Sequence, residues 1–274
     1  MKKVVGFAIN ILSLFSMRKA VDIAYLLFST PRKGKFTGDI PSFLSNTHQV
    51  QISYNSNYIQ GYLWNEEEQD LPLVFLVHGW ESNSVRWEQL ITYLKGSYRL
   101  LCIDAMGLGA SPGKNLSVIE YSRLIGFCMN QYKPSVVVAH SLGAFATLYQ
   151  VCKQQPLYIK KLVLMAGLDQ FNLIATNYIK LLGYNRKLTK AFYGYLEELI
   201  EMPLLAYSSQ NFIDTIPCSA LIIHDVNDDY VRIDECEVYH EKAAKKNIKI
   251  IKTVGLGHSL QDVSVFEEIS NFIK

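Results

Sequence analysis

From residue 49 onward the chain alternates short β-branched or aliphatic runs with longer stretches of helical period, and few folds accept that alternation. Strands joined through helices return in the same direction, so a series of them builds a parallel sheet covered on both faces. The runs predict strands at 49–54, 58–64, 72–77, 98–104, 135–140, 160–166, 219–224 and 248–253. The first two are close enough in sequence to form an antiparallel hairpin. Later runs such as Val136-Val137-Val138 and Leu221-Ile222-Ile223 are continuously apolar, as expected of strands buried on both faces. Helical period covers 83–95, 117–131, 142–153, 233–246 and 262–273, and Ser117 and Glu120 stand at the spacing of a capping box. The expectation is an α/β protein with an eight-stranded, mostly parallel sheet flanked by helices.

Composition supports a buried core, with 49% of the 274 residues hydrophobic and 19% charged. Nothing after residue 45 reads as a linker, so 46–274 is taken as one domain. Within it, 168–216 carries no strong strand signal but many aromatic residues, among them Phe192 and Tyr193. A structureless loop of that length is uncommon, which predicts a helical cap inserted over one end of the sheet. A net charge of +2 with no basic stripe argues against nucleic acid as a partner. The five cysteines lack paired or metal-like spacing, which fits a reduced, cytoplasmic compartment without a disulfide framework or metal site. No phosphate loop or dinucleotide fingerprint stands at a usable position, so no cofactor is implied.

Residues 1–45 form an N-terminal amphipathic helical segment. Lys2-Lys3 precede an apolar run from Val4 to Met17, which Arg18-Lys19 close. The run is short of the roughly 20 residues of a spanning helix, and no small-x-small cleavage site follows it. On a helical wheel Val4, Phe7, Ala8, Ile11, Leu12 and Phe15 share one face, with Lys2, Lys3, Asn10 and Ser13 opposite. Docking on the rest of the chain would bury that apolar face, and the apolar character of Ala20 to Phe28 favours docking. The rival expectation is peripheral membrane contact through residues 1–30, since basic residues surround the apolar ones.

The chemistry is concentrated where strands end. Val136-Val137-Val138-Ala139-His140-Ser141-Leu142-Gly143-Ala144 reads as a buried strand entering a serine among small residues and then a helix. A serine on so sharp a turn is pushed out at the sheet edge, and the helix start aims unpaired N–H groups, that of Leu142 first, at a developing oxyanion. Its hydroxyl needs a base, and His258, in the flexible Gly255-Leu256-Gly257-His258 loop after the last strand, is the leading candidate over His78 and His140. The histidine needs a carboxylate, and Asp225, Asp228 and Asp229 follow the seventh strand.

These blocks resemble the α/β-hydrolase family. The elbow G-x-S-x-G matches with Ala139 at the first glycine, and Leu76-Val77-His78-Gly79-Trp80 resembles the family's oxyanion loop. Asp104 to Ser111 resembles its D-x-x-G-x-G-x-S turn, where Asp104 is expected to brace the backbone. The resemblance implies the Trp80 N–H as second oxyanion donor, His258 as base and, by alignment with H-G-x-x-D-x-x-V, Asp228 as the acid, with Asp229 the alternative. The order Ser141, Asp228, His258 is the family's. The implied activity is ester hydrolysis through an acyl-serine, as in esterases and lipases, on a small-molecule or lipid-like ester. Acyl transfer, amide hydrolysis and carbon–carbon bond hydrolysis use the same groups, and a non-catalytic scaffold of this fold is a further alternative. Phe192 and Tyr193 are the expected substrate-binding residues of the cap.

Overall fold

The computed structural model describes residues 2–246 and 248–274. The apolar runs at the centre become strands covered on both faces. β3 (Leu73–Val77) and β5 (Val136–His140) are buried at every position, and β4 (Arg99–Ile103) and β6 (Lys161–Met165) at all but the first. β7 (Ser219–Asp225) is equally closed after its first residue, whereas β8 (Lys249–Thr253) lies at the edge and is only partly covered. The hairpin of β1 (His48–Tyr54) and β2 (Asn57–Trp64) forms the other edge. The order is β1-β2-β4-β3-β5-β6-β7-β8, parallel from β4 to β8 and antiparallel at β1/β2 and β2/β4. This is the α/β-hydrolase fold, an eight-stranded, mostly parallel sheet between helices. Alternate residues feed two separate cores: Leu73, Phe75 and Val77 face one, Val74 and Leu76 the other.

Going along the chain, the helices are α1 (Lys2–Phe15), α2 (Met17–Phe28), the short α3 (Ser42–Ser45), α4 (Glu88–Leu94), α5 (Val118–Tyr132) and α6 (Leu142–Gln154). After β6 come α7 (Phe171–Leu182), α8 (Arg186–Ile200) and the short α9 (Ser209–Phe212), and after β7 come α10 (Glu237–Lys245) and α11 (Val263–Ile273). The helical periods at 83–95 and 233–246 each open with a tighter 3-10 turn, Ser84–Trp87 and Ile233–Cys236. Only half of the anticipated capping box forms. Ser117 accepts the Glu120 N–H at 3.4 Å, but the Glu120 carboxylate turns to Arg123 and Tyr54.

α7, α8 and the two N-terminal helices make one layer over the sheet's C-terminal edge, with α2 against α8 and α1 against α7. Phe28 seals the joint, edge-to-face with Phe171, Tyr178 and Phe192 at 5.0 to 6.1 Å between ring centres. The Tyr178 hydroxyl donates to the Ala24 carbonyl at 3.0 Å.

α1 overturns the expectation that docking buries its apolar face. It docks through Gly6, Ile9, Asn10 and Ser13 instead, a stripe whose closest approach is at Gly6. A Cβ on Gly6 would stand 1.7 Å from the Leu182 carbonyl oxygen, so the helix approaches closer than any side chain permits. Asn10 then donates to the Gly183 carbonyl at 2.8 Å and accepts from the Asn185 N–H at 2.9 Å, capturing polar groups where α7 ends and α8 begins. Backbone polar groups at helix ends need such partners, and here that need outweighs the burial of Phe7 and Phe15. No described helix is long and apolar enough to cross a membrane.

Asp169 is buried where the chain leaves β6 for α7. It accepts the Gln210 N–H at 2.7 Å through Oδ1, while Oδ2 has no partner. Burial pushes its carboxyl up to about 6 from an ordinary 3.8, against the Gln210 bond and the Lys242 charge. The unfolded chain therefore releases this proton at lower pH than the folded one, and the group's contribution to stability falls as pH rises from about 4 to about 6. Asp169→Asn is expected to raise the melting temperature at pH 8 relative to the parent and to lose that advantage at pH 4, as calorimetry at the two pH values will show.

Candidate active site

Four strand ends converge beneath the helical layer. β5 delivers Ser141 as the N-cap of α6, in the strained conformation φ 55°, ψ −125°. The surroundings hold it there: its N–H donates to the Met165 carbonyl at 2.8 Å, and its carbonyl accepts the Phe145 N–H at 3.1 Å. Gly143 and Gly79 let three backbones meet at this point. A Cβ at Gly143 would lie 2.2 Å from the His78 carbonyl oxygen, and one at Gly79 would lie 2.8 Å from the Ser141 Cβ.

Ser141 Oγ lies 2.9 Å from His258 Nε2, and His258 Nδ1 lies 2.7 Å from Asp228 Oδ2. Asp228 is almost fully buried, and its Oδ1 accepts the Tyr230 and Val231 N–H groups at 2.9 Å each. Burial would raise this carboxyl, but the imidazoles of His224 and His258 and the Val231 N–H outweigh it and hold the group well below the usual carboxylate range. Asp229 is exposed, and the His258 ring pairs with Asp228. With Asp228 ionised and accepting from Nδ1–H, the His258 Nε2 lone pair is free to take the Ser141 proton.

Trp80 and Leu142 flank Ser141 in the wall of the same cavity, and neither backbone N–H is engaged among the described residues. The cavity measures about 790 Å³. Its walls are mostly apolar and come from Leu116, Val118 and Ile119 ahead of and in α5, from Phe171, Ile174 and Tyr178 of α7, and from Leu27 and Phe28 of α2. Phe192 and Tyr193 do not reach it. Phe192 belongs to the inward stripe Leu188, Phe192, Leu196 and Ile200 of α8 and is fully buried among rings, while the Tyr193 hydroxyl meets Thr176 Oγ1 at 2.8 Å. The face of α7 takes the place expected for them.

Asp225 and His140, which the sequence offers as a candidate acid and a candidate base, support the site instead. Asp225 Oδ2 accepts from Thr253 Oγ1 at 2.7 Å and the Leu256 N–H at 2.9 Å, and its Oδ1 accepts the Asn227 N–H at 2.8 Å. It thus ties the loop of Asp228 to the loop of His258 from the position where the family pattern has glycine. His140 Nε2 lies 2.7 Å from the His258 carbonyl oxygen and its Nδ1 2.9 Å from Arg86 Nη1. Burial, then the Arg86 and His258 charges, keep this ring neutral, so Nε2–H donates and Nδ1 accepts. Both side chains join segments far apart in sequence, so no local run of residues displays either role. Asp104 braces its turn, accepting from the Ser84 and Ala110 N–H groups and the Tyr62 hydroxyl. Among the described residues no cluster of three His, Cys, Asp or Glu side chains could hold a metal ion.

Residues 74–264 match the model of the alpha/beta hydrolase family. Among curated proteins, Probable lysophospholipase BODYGUARD 2 of Arabidopsis thaliana is 32% identical over 107 residues, covering 34% of this chain and 22% of that protein. Pimeloyl-[acyl-carrier protein] methyl ester esterase of Legionella pneumophila is 43% identical over 44 residues, covering 16% of this chain and 18% of that protein. The matches thus span about a fifth of each relative's length. An esterase of Pyrococcus furiosus superposes with a TM-score of 0.63 over 89% of this chain and 96% of its own, at 16% identity, a likeness of fold. The family model covers well over half of the chain, and its matched span runs from β3 past His258: this chain belongs to the alpha/beta hydrolase family.

Proposed function

We propose that this chain is a serine hydrolase that cleaves carboxylic esters with a lipid-like acyl group. The observation that carries the reading is the hydrogen-bonded series Ser141, His258, Asp228 opening on a mostly apolar cavity. In the reaction His258 Nε2 takes the Ser141 proton as Oγ adds to the ester carbonyl, and the Leu142 and Trp80 N–H groups receive the negative charge that forms on oxygen. Collapse of the tetrahedral intermediate expels the alcohol, which leaves with the proton held on Nε2. Water then repeats the sequence on the acyl-Ser141 ester, giving up a proton to His258 and releasing the carboxylic acid. Asp228 stays ionised throughout and stabilises the imidazolium. The esterase and lysophospholipase among the relatives support ester chemistry.

A p-nitrophenyl ester series of graded acyl length tests the reading. Turnover should rise from acetate toward medium or long chains, and absence of hydrolysis across the whole series would refute it. The same series locates the acyl pocket. Ile174 lines the cavity and is 37% exposed, so Ile174→Trp should fill space at little cost to folding. The optimum should move to shorter chains, with kcat/KM for the longest ester falling on the order of tenfold. Phe192→Ala should instead lower the melting temperature, since it empties a packed core site.

A further inference from the structure

The face of α1 turned away from α7 carries Val4, Phe7, Ile11, Leu14 and Phe15, which are 69, 64, 43, 75 and 83% exposed. Their spacing places them along one side of a helix about 21 Å long. A stripe of large apolar side chains this exposed calls for a partner. Beside it, Val4, Val5, Ala8, Leu12 and Ile23 line an apolar groove between α1 and α2.

The charge around this surface is one-sided. Residues 1–35 hold seven basic residues and one acid, giving +6 in a chain whose net charge is +2. Lys2, Lys3, Arg18, Lys19, Arg32 and Lys33 form no ion pair among the described residues. An apolar stripe in a segment this rich in unpaired cations fits a surface that offers hydrocarbon beneath a layer of negative charge. A second copy of this chain fits poorly, because a two-fold contact through α1 would bring the cations of one copy toward those of the other.

We propose that the outward face of α1 docks the protein on an anionic lipid surface, with α1 lying in the interface. Lys2 and Leu27 also line the cavity that holds Ser141, so its wall adjoins the docking surface. The docking does not rest on the hydrolytic reading, and its test is read separately from activity.

The full chain is sedimented with phosphatidylcholine vesicles, with and without about a third phosphatidylglycerol. Binding is expected to the anionic vesicles alone and to weaken with salt. The triple variant Phe7→Ser, Leu14→Ser, Phe15→Ser should abolish it. Lys3→Glu, Arg18→Glu, Lys19→Glu should weaken it more than a hundredfold, at about fivefold or more for each basic residue removed. Because these side chains are exposed, both variants should keep the parent's melting temperature within a few degrees and its turnover of a short soluble ester. Failure of the parent to bind anionic vesicles, or binding indifferent to both variants, would overturn the proposal. So would a dimer, seen by light scattering, that the serine variant splits while vesicles are ignored, since α1 would then be a contact between copies.

Discussion

Asp228→Asn should cut kcat/KM for ester hydrolysis roughly ten-thousandfold, as should His258→Ala, while Asp229→Asn stays within about twofold of the parent. The asparagine result follows from the hydrogen bonds of the parent carboxylate. Oδ1 accepts two backbone N–H groups, from Tyr230 and Val231, so the carboxamide must keep its oxygen there. Its NH2 then takes the Oδ2 position and faces His258 Nδ1, which can only accept. The imidazole proton is driven to Nε2, the nitrogen that faces Ser141 Oγ, and the base can no longer take the serine's proton. The melting temperature should change far less than the rate, which separates this effect from misfolding. Steady-state kinetics on one good ester and a thermal melt suffice to check it.

Gly143→Ala carries the largest expected effect on folding. The added methyl would be 2.2 Å from the His78 oxygen, 2.9 Å from the His78 carbon and 3.0 Å from the Val77 oxygen, all of them backbone atoms at the end of β3. The His78 carbonyl is further fixed by the Tyr121 hydroxyl at 2.7 Å, so it cannot swing away cheaply. Relief requires α6 to part from β3, which should cost about 3 kcal/mol or more and lower the melting temperature by roughly 6 to 12 °C. The same shift would pull the Trp80 and Leu142 N–H groups apart, so activity should fall even at temperatures where the variant is folded. Gly255→Ala is the control: a Cβ there meets nothing within 4 Å, although φ of +83° leaves a modest strain.

Sequence and structure agree where the physics is local. The apolar runs declare the buried strands, and the small residues around Ser141 declare a tight turn whose purpose the coordinates explain through Gly143. Ala139, standing where the family has glycine, is accommodated with no exposure inside β5. What could not be read is the rotation of helices about their axes. The aromatic richness of 168–216 announces an apolar insertion, but only the packing of its helices against α1 and α2 decides that Phe192 is buried while Ile174 and Tyr178 face the cavity. The same gap reverses α1, because an apolar face is ordinarily turned inward and nothing local tells that Gly6 will lie against Leu182. The supporting roles of Asp225 and His140 are hidden for a related reason. They act by holding the backbone of the His258 loop, from 31 and 118 positions away.

The central claim, that Ser141 is the nucleophile and carries the acyl group, is tested most directly by labelling with a fluorophosphonate followed by intact-mass and peptide mapping. One adduct per chain should appear, on the peptide containing Ser141, with hydrolysis lost in proportion to labelling and neither seen in Ser141→Ala. An adduct on any other serine, or full ester hydrolysis by Ser141→Ala, would contradict the account.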